Sequence, residues 1–142
     1  MPIRVFVYGT LKNGRGNHRL LANSKFLGRC YIEGAWRLIS LGGFPGLVYK
    51  PDLPMTKVVG EVYQVDQETL QSLDWLEGHP RFYERSKVAT PFKNAWAYFL
   101  PAEYLEKYPT IGPIWKPTAE ELTWAKGSVE LPEEKEDEAC GF

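Results

Sequence analysis

Residues 3–12 read IRVFVYGTLK, and residues 13–21 continue NGRGNHRLL. Ile3, Val5, Phe6 and Val7 make a short buried strand by pattern. Such a strand needs only a turn to end it. This one leaves through Tyr8-Gly9-Thr10-Leu11 and runs on into Gly14, Gly16 and the basic pair His18 and Arg19. Leaving a strand through glycine exposes successive backbone N–H groups that the sheet no longer uses, and such groups converge on anions. The residues alone admit two readings of the loop: a carboxylate cradle, or a strand-ending turn with Tyr8 in the core.

Downstream, residues 27–33 and 35–41 are β-favouring runs divided by Gly34, which reads as two strands around a tight connection. The GGFPG segment at 42–46 interrupts the pattern and leaves Phe44 projecting from a backbone of special geometry. Further strands are expected over 47–50 and 57–65, separated by a Pro-bounded loop at 51–54. A helix over 67–76 follows, with Asp66 as N-cap, Leu70, Leu73 and Leu76 on one side, and Gly78 as its stop. Val65 and Leu70 occupy hydrophobic-staple positions. Residues 82–90 and 95–100 read as a hairpin, and Thr118 with Glu121 has the capping-box spacing of a second helix closed by Gly127.

Many strands with short links and one intervening helix do not make βαβ units, so a closed or nearly closed mixed sheet of α+β class is expected. The 14% aromatic content with 13 Gly and 11 Pro favours the same sheet-rich, turn-rich answer. A length of 142 residues suits one domain, over 1–129, plus a tail. That tail, ELPEEKEDEACGF at 130–142, carries six acids against one lysine and is expected to be disordered. The rest holds 16 basic and 12 acidic residues, a small excess that permits an anionic small molecule and falls short of a nucleic-acid footprint.

Several site types are excluded by missing residues. Gly14-Arg15-Gly16 lacks the third glycine of a dinucleotide loop, no Lys-Ser/Thr follows Gly9 as a phosphate loop requires, and no GxSxG elbow occurs. His18 and His79, with isolated Cys30 and Cys140, offer no metal-ligand spacing and no disulfide framework. No tripartite leader opens the chain and no apolar run approaches the roughly 20 residues that span a bilayer. The expected setting is cytoplasmic, with no membrane partner.

Glu77 stands in the last turn of the expected helix, where the negative end of the helix dipole raises a carboxylate pKa. An apolar cavity lined by Trp75 or Phe82 would raise it further and make a proton acceptor near neutrality. The alternative is an exposed helix-end acid paired with Arg81 or Arg85.

Four ordered blocks, VYGTLKNGRGNHRLL (7–21), GGFPGLV (42–48), GEVYQV (60–65) and LDWLEGHPRFYER (73–85), resemble the γ-glutamylcyclotransferase-like, or AIG2-like, family. The likeness is strongest to its γ-glutamylamine cyclotransferase branch and covers residues 3–100. It implies a small mixed β-barrel with flanking helices, whose cavity opens at the YGTL loop. Backbone N–H groups of Tyr8, Gly9, Thr10 and Leu11 would hold the γ-glutamyl moiety. Glu77 would be the catalytic glutamate, Tyr83 the tyrosine lining the site, and Phe44 and Pro45 part of the pocket wall. Arg85 resembles the arginine of the family's YxR segment, but strand alternation turns it away from its neighbours, and it stays outside the catalytic set with the turn residue His79.

The resemblance implies cyclisation of a γ-glutamyl amine or γ-glutamyl dipeptide to 5-oxoproline with release of free amine, needing no metal or other cofactor. The competing reading is a non-catalytic AIG2-like module that binds a small carboxylated ligand. An oligonucleotide-binding barrel is disfavoured, because Lys and Arg are not interleaved with aromatics in one run. Leaving group and oligomeric state stay open.

Overall fold

The strand that organises the fold is Thr56–Val65, whose residues from Val58 onward are buried almost without a break. Such a run is what a strand flanked on both edges and covered on both faces requires. In the computed structural model, which describes residues 2–9, 12, 18–79 and 82–119, this element is β5. It follows β1 (Ile3–Val7), β2 (Lys25–Gly34), β3 (Trp36–Ser40) and β4 (Pro45–Tyr49), and precedes α1 (Gln67–Glu77), β6 (Glu84–Val88), β7 (Ala95–Phe99) and β8 (Thr110–Ile111).

Five strands form a mixed sheet in the order β2-β5-β1-β7-β6, and three form a second sheet, β4-β3-β8. β5 runs antiparallel to both β1 and β2, while β1 and β7 are parallel, with Val5 opposite Trp96. The sheets do not close into one continuous barrel. They are joined by a parallel bridge between Val48 and Leu100, where the Leu100 amide donates to the Leu47 carbonyl at 2.7 Å. The result is the small, barrel-like α+β fold expected, with a seam in place of full closure.

Alternation along the strands divides the core in two. Val5, Val7, Ile39, Val48, Tyr63 and Tyr98 pack with Leu70 and Leu73 of α1. Their neighbours Phe6, Leu38, Leu47, Val62 and Ala97 pack on the other side with Trp36 and Trp115. Strands buried on both faces read as unbroken apolar runs, which is why β1, β4 and β5 show little polar alternation.

α1 forms where its caps place it. Asp66 accepts from the Thr69 amide at 2.7 Å, and Gly78 takes a left-handed φ of 69° as the helix closes. Val65 and Leu70 share one buried cluster, as a staple requires.

Most strand boundaries shift by a residue or two from the sequence reading, and the larger differences are at β4 and β6. β4 begins at Pro45 and β3 ends at Ser40, so the break between them is Leu41, Gly42, Gly43 and Phe44. Gly46 pairs with Ile39 inside β4, and glycine is needed there because a Cβ would meet Leu100 Cδ1 at 2.6 Å. β6 is shorter than 82–90, since the Phe82 and Tyr83 amides donate to Gly78 and Glu77 carbonyls in the turn after α1. At its other end Thr90 leaves the ladder to bond Lys93 and Phe92 around a turn in which Lys93 has φ 80°. The 3-10 turns His18–Leu21 and Ala102–Glu106 and the short β8 carry too little periodicity to be read from sequence. Of the expected second helix beyond Thr118 only Ala119 is described, in helical conformation; the rest of it, the domain boundary at 129 and the acidic tail lie outside the described residues.

Candidate active site

The end of β1 is fixed by its tyrosine. The Tyr8 hydroxyl accepts from the Leu47 amide at 3.2 Å and donates to the Tyr98 carbonyl at 2.6 Å, tying β4 of one sheet to β7 of the other. Gly9 follows with φ 69°, and a Cβ there would meet Pro45 Cγ at 2.5 Å, so the position requires glycine twice over. The Lys12 amide returns to the Gly9 carbonyl at 3.2 Å. Thr10 and Leu11 themselves lie outside the described residues.

The opposite wall comes from the end of α1 and the turn behind it. The Tyr83 amide donates to the Glu77 carbonyl at 3.2 Å, and the Tyr83 hydroxyl donates to the Pro45 carbonyl. Between these walls is a cavity of about 360 Å³. Phe6 and Val7 form its apolar floor, Tyr8, Tyr83 and Tyr98 its sides, and Phe44, Pro45 and Leu76 its rim. Glu77 faces the same space.

Burial pushes the Glu77 carboxyl from 4.5 up to about 7. Among the described residues no hydrogen bond or ion pair engages that carboxyl. Burial first, and then mutual proximity with Glu77, also holds Tyr8 and Tyr83 above the ordinary phenol range, so both stay neutral. Their hydroxyls are committed to backbone groups, and that of Tyr98 donates to Asp74 at 2.6 Å. Among the described lining residues the cavity therefore presents one carboxyl raised toward neutrality within a wall of satisfied tyrosines, a setting in which a carboxylate can accept a proton.

The structure thus brings Tyr8, Phe44, Pro45, Glu77 and Tyr83 around one space and sets Gly9 against Pro45 behind its rim. Trp75 is not part of the lining: it is 88% exposed, because the helix turns it away from the core that holds Leu73. Phe82 stands one layer out, its ring centroid 4.9 Å from that of Tyr83. Of the two arginines offered as partners for Glu77, Arg85 is engaged elsewhere and Arg81 lies outside the described residues. Arg85 donates to both carboxylate oxygens of Asp74, at 2.7 and 3.2 Å, and lies over the Trp96 ring at 4.3 Å. That explains its orientation without a ligand. The sequence reading missed Tyr98 and Leu76 as wall and rim residues; the register of β7, one residue out of phase with Ala97, is the signal that would have found Tyr98.

Among the described residues no group of three or more His, Cys, Asp or Glu side chains is placed to hold a metal ion. No described helix is long and apolar enough to cross a membrane.

Fold and cavity define a small two-sheet α+β protein with a half-buried acid at the join between its sheets. The chain belongs to the family described as gamma-glutamyl cyclotransferase, AIG2-like, whose profile matches residues 5–116. The match continues past Leu100 through β8 and Trp115, further than the sequence blocks alone reached. A Vibrio cholerae protein described as a candidate gamma-glutamylcyclotransferase is 46% identical over 94 residues, covering 66% of this chain and 78% of that protein. Among solved structures, the AIG2-like protein of mouse superposes with a TM-score of 0.66 at 28% identity, covering 83% of this chain and 97% of that one. The solution structure of Escherichia coli YtfP gives 0.62 at 34% identity, covering 80% and 96%.

Proposed function

We propose that the chain is a cyclotransferase that converts a γ-glutamyl amine or γ-glutamyl dipeptide to 5-oxoproline and a free amine. The observation that carries this reading is the Glu77 carboxyl, raised by burial to about 7 and facing the cavity beside the turn at Tyr8 and Gly9.

A γ-glutamyl amide contains its own nucleophile. The α-nitrogen attacks the γ-carbonyl carbon, a five-membered ring forms, the amide C–N bond breaks, and the leaving nitrogen takes a proton. The protein must fold the substrate into the reactive shape, a contribution for which effective molarities reach about 10⁵ M or more. It must also take a proton from the α-ammonium, because a protonated nitrogen has no lone pair. Glu77 accepts that proton and returns one to the leaving nitrogen, a role worth roughly 10² to 10⁴ in rate. Backbone N–H groups of the loop at residues 8–11 hold the α-carboxylate, and Tyr83, Phe44 and Pro45 enclose the glutamyl chain. The scheme balances without a metal, nucleotide or redox group.

The test is 5-oxoproline release from a panel of γ-glutamyl amines and dipeptides by the wild type and Glu77→Gln. Release by the wild type and loss of at least about 10²-fold in the variant is the expected result. Equal rates would remove Glu77 from the chemistry. Binding without release in both proteins would favour the non-catalytic module.

A further inference from the structure

An aromatic file runs outward from the cavity rim and is not used by the chemistry above. Phe44, which lines the cavity, is 41% exposed and meets the Phe82 ring edge-on at 6.4 Å between centroids. Phe82, 37% exposed, meets Tyr104 at 6.2 Å, and Tyr104 stacks on Tyr108 at 5.8 Å with only 13° between ring planes. Four rings thus form a half-exposed shelf continuous with the rim. Exposed aromatic surface of this extent, joined to a cavity, is surface awaiting a ligand.

The chemistry says which part of the ligand reaches it. Glu77 and the floor at Phe6 and Val7 lie inside, whereas the exposed lining residues are Gly43, Phe44 and Leu76, so the mouth is on the Phe44 side. A cavity of about 360 Å³ is near the lower limit for small-molecule sites and suits the glutamyl half alone. The group on the leaving nitrogen must therefore pass out over Phe44. The 3-10 turn that supplies Tyr104 carries Glu103 and Glu106, with Lys107 directly after it lying over the Tyr104 ring at 5.9 Å.

We infer that Phe44, Phe82 and Tyr104 form a leaving-group subsite that selects γ-glutamyl amides of aromatic or apolar amines over those with small leaving groups. The inference rests on the cyclotransferase reading. Ring-on-ring packing at a half-exposed shelf discriminates by roughly tenfold.

The experiment compares kcat/KM for γ-glutamyl-phenethylamide, γ-glutamyl-methylamide and γ-glutamyl-alanine in the wild type, Phe82→Leu and Tyr104→Ala. The wild type is expected to prefer the phenethylamide over the other two by roughly tenfold, and Tyr104→Ala to shrink the phenethylamide-to-methylamide ratio to within about threefold. Because the readout is a ratio, a general loss of activity in a variant does not imitate it. A wild-type preference for γ-glutamyl-alanine, or a ratio unchanged in both variants, overturns the subsite. Absence of turnover with all three compounds would sink the cyclisation reading alone. The same comparison made on affinities by calorimetry would then decide the shelf, with equal affinities for phenethylamide and methylamide counting against it.

Discussion

Tyr83 donates its hydroxyl to the backbone carbonyl of Pro45, so the chain emerging from α1 is pinned to the first residue of β4. This bond holds the neighbouring Phe44 at the rim. Replacing Tyr83 with Phe removes one buried hydrogen bond and is expected to cost about 1 to 2 kcal/mol in urea unfolding. Because the hydroxyl serves the backbone, KM should rise more than kcat falls. A fall in kcat of about 10³-fold with KM unchanged would instead assign the hydroxyl to the reacting atoms.

On the proposed reading, Glu77 sets function against stability. Its folded-state pKa of about 7 lies above the ordinary 4.5, so between those values the native protein binds more protons than the unfolded chain. Stability contributed by this group therefore falls as pH rises from about 4.5 to about 7 and is level above. The full penalty above neutrality is about 3 kcal/mol. Glu77→Gln should be the more stable protein at pH 8 while losing activity, and the two stabilities should converge near pH 4.5. Equal denaturation midpoints at pH 8 would contradict the burial of this carboxyl.

As the proposed base, the same group would fix the acid limb of the rate. A base must be ionised to accept a proton, so kcat/KM should fall tenfold per unit as pH drops below about 7. A limb breaking near 4.5 would show the carboxyl to be solvated in the working protein.

Gly9→Ala tests the turn. The new Cβ meets Pro45 Cγ at 2.5 Å on a backbone with φ 69°. Left-handed strain and overpacking together are expected to cost about 2 to 4 kcal/mol, measured by urea unfolding. A variant as stable as the wild type would mean that the rim yields freely to the loop.

Arg85→Gln separates support from catalysis. Arg85 and Tyr98 both donate to Asp74, which is held below the usual carboxylate range: burial works against this, and the two hydrogen bonds outweigh it. Losing the arginine should cost about 1 to 2 kcal/mol and leave KM for small γ-glutamyl amides within about threefold. A large rise in KM with stability intact would restore a substrate role.

The parts legible in the sequence were those set by local rules. Asp66 and Gly78 cap α1 because their side-chain chemistry and backbone freedom admit little else, and the apolar run of β5 marks a strand covered on both faces. Glu77 was legible as a helix-end acid, and what raised it to about 7 is burial, which depends on walls drawn from β1, β4 and β7. Those contacts span the chain: Tyr8 meets Tyr98 across 90 positions and Tyr83 meets Pro45 across 38. Arg85 was unreadable for the same reason, since its partner Asp74 sits on the helix and not on a neighbouring strand.

One residue, Leu47, gives its amide to Tyr8 and its carbonyl to Leu100, and so stitches the two sheets at the place where the cavity lies. Opening of that stitch would part the Tyr8 and Leu47 walls of the hollow, and exchange of the Leu100 amide with solvent would clock each such opening.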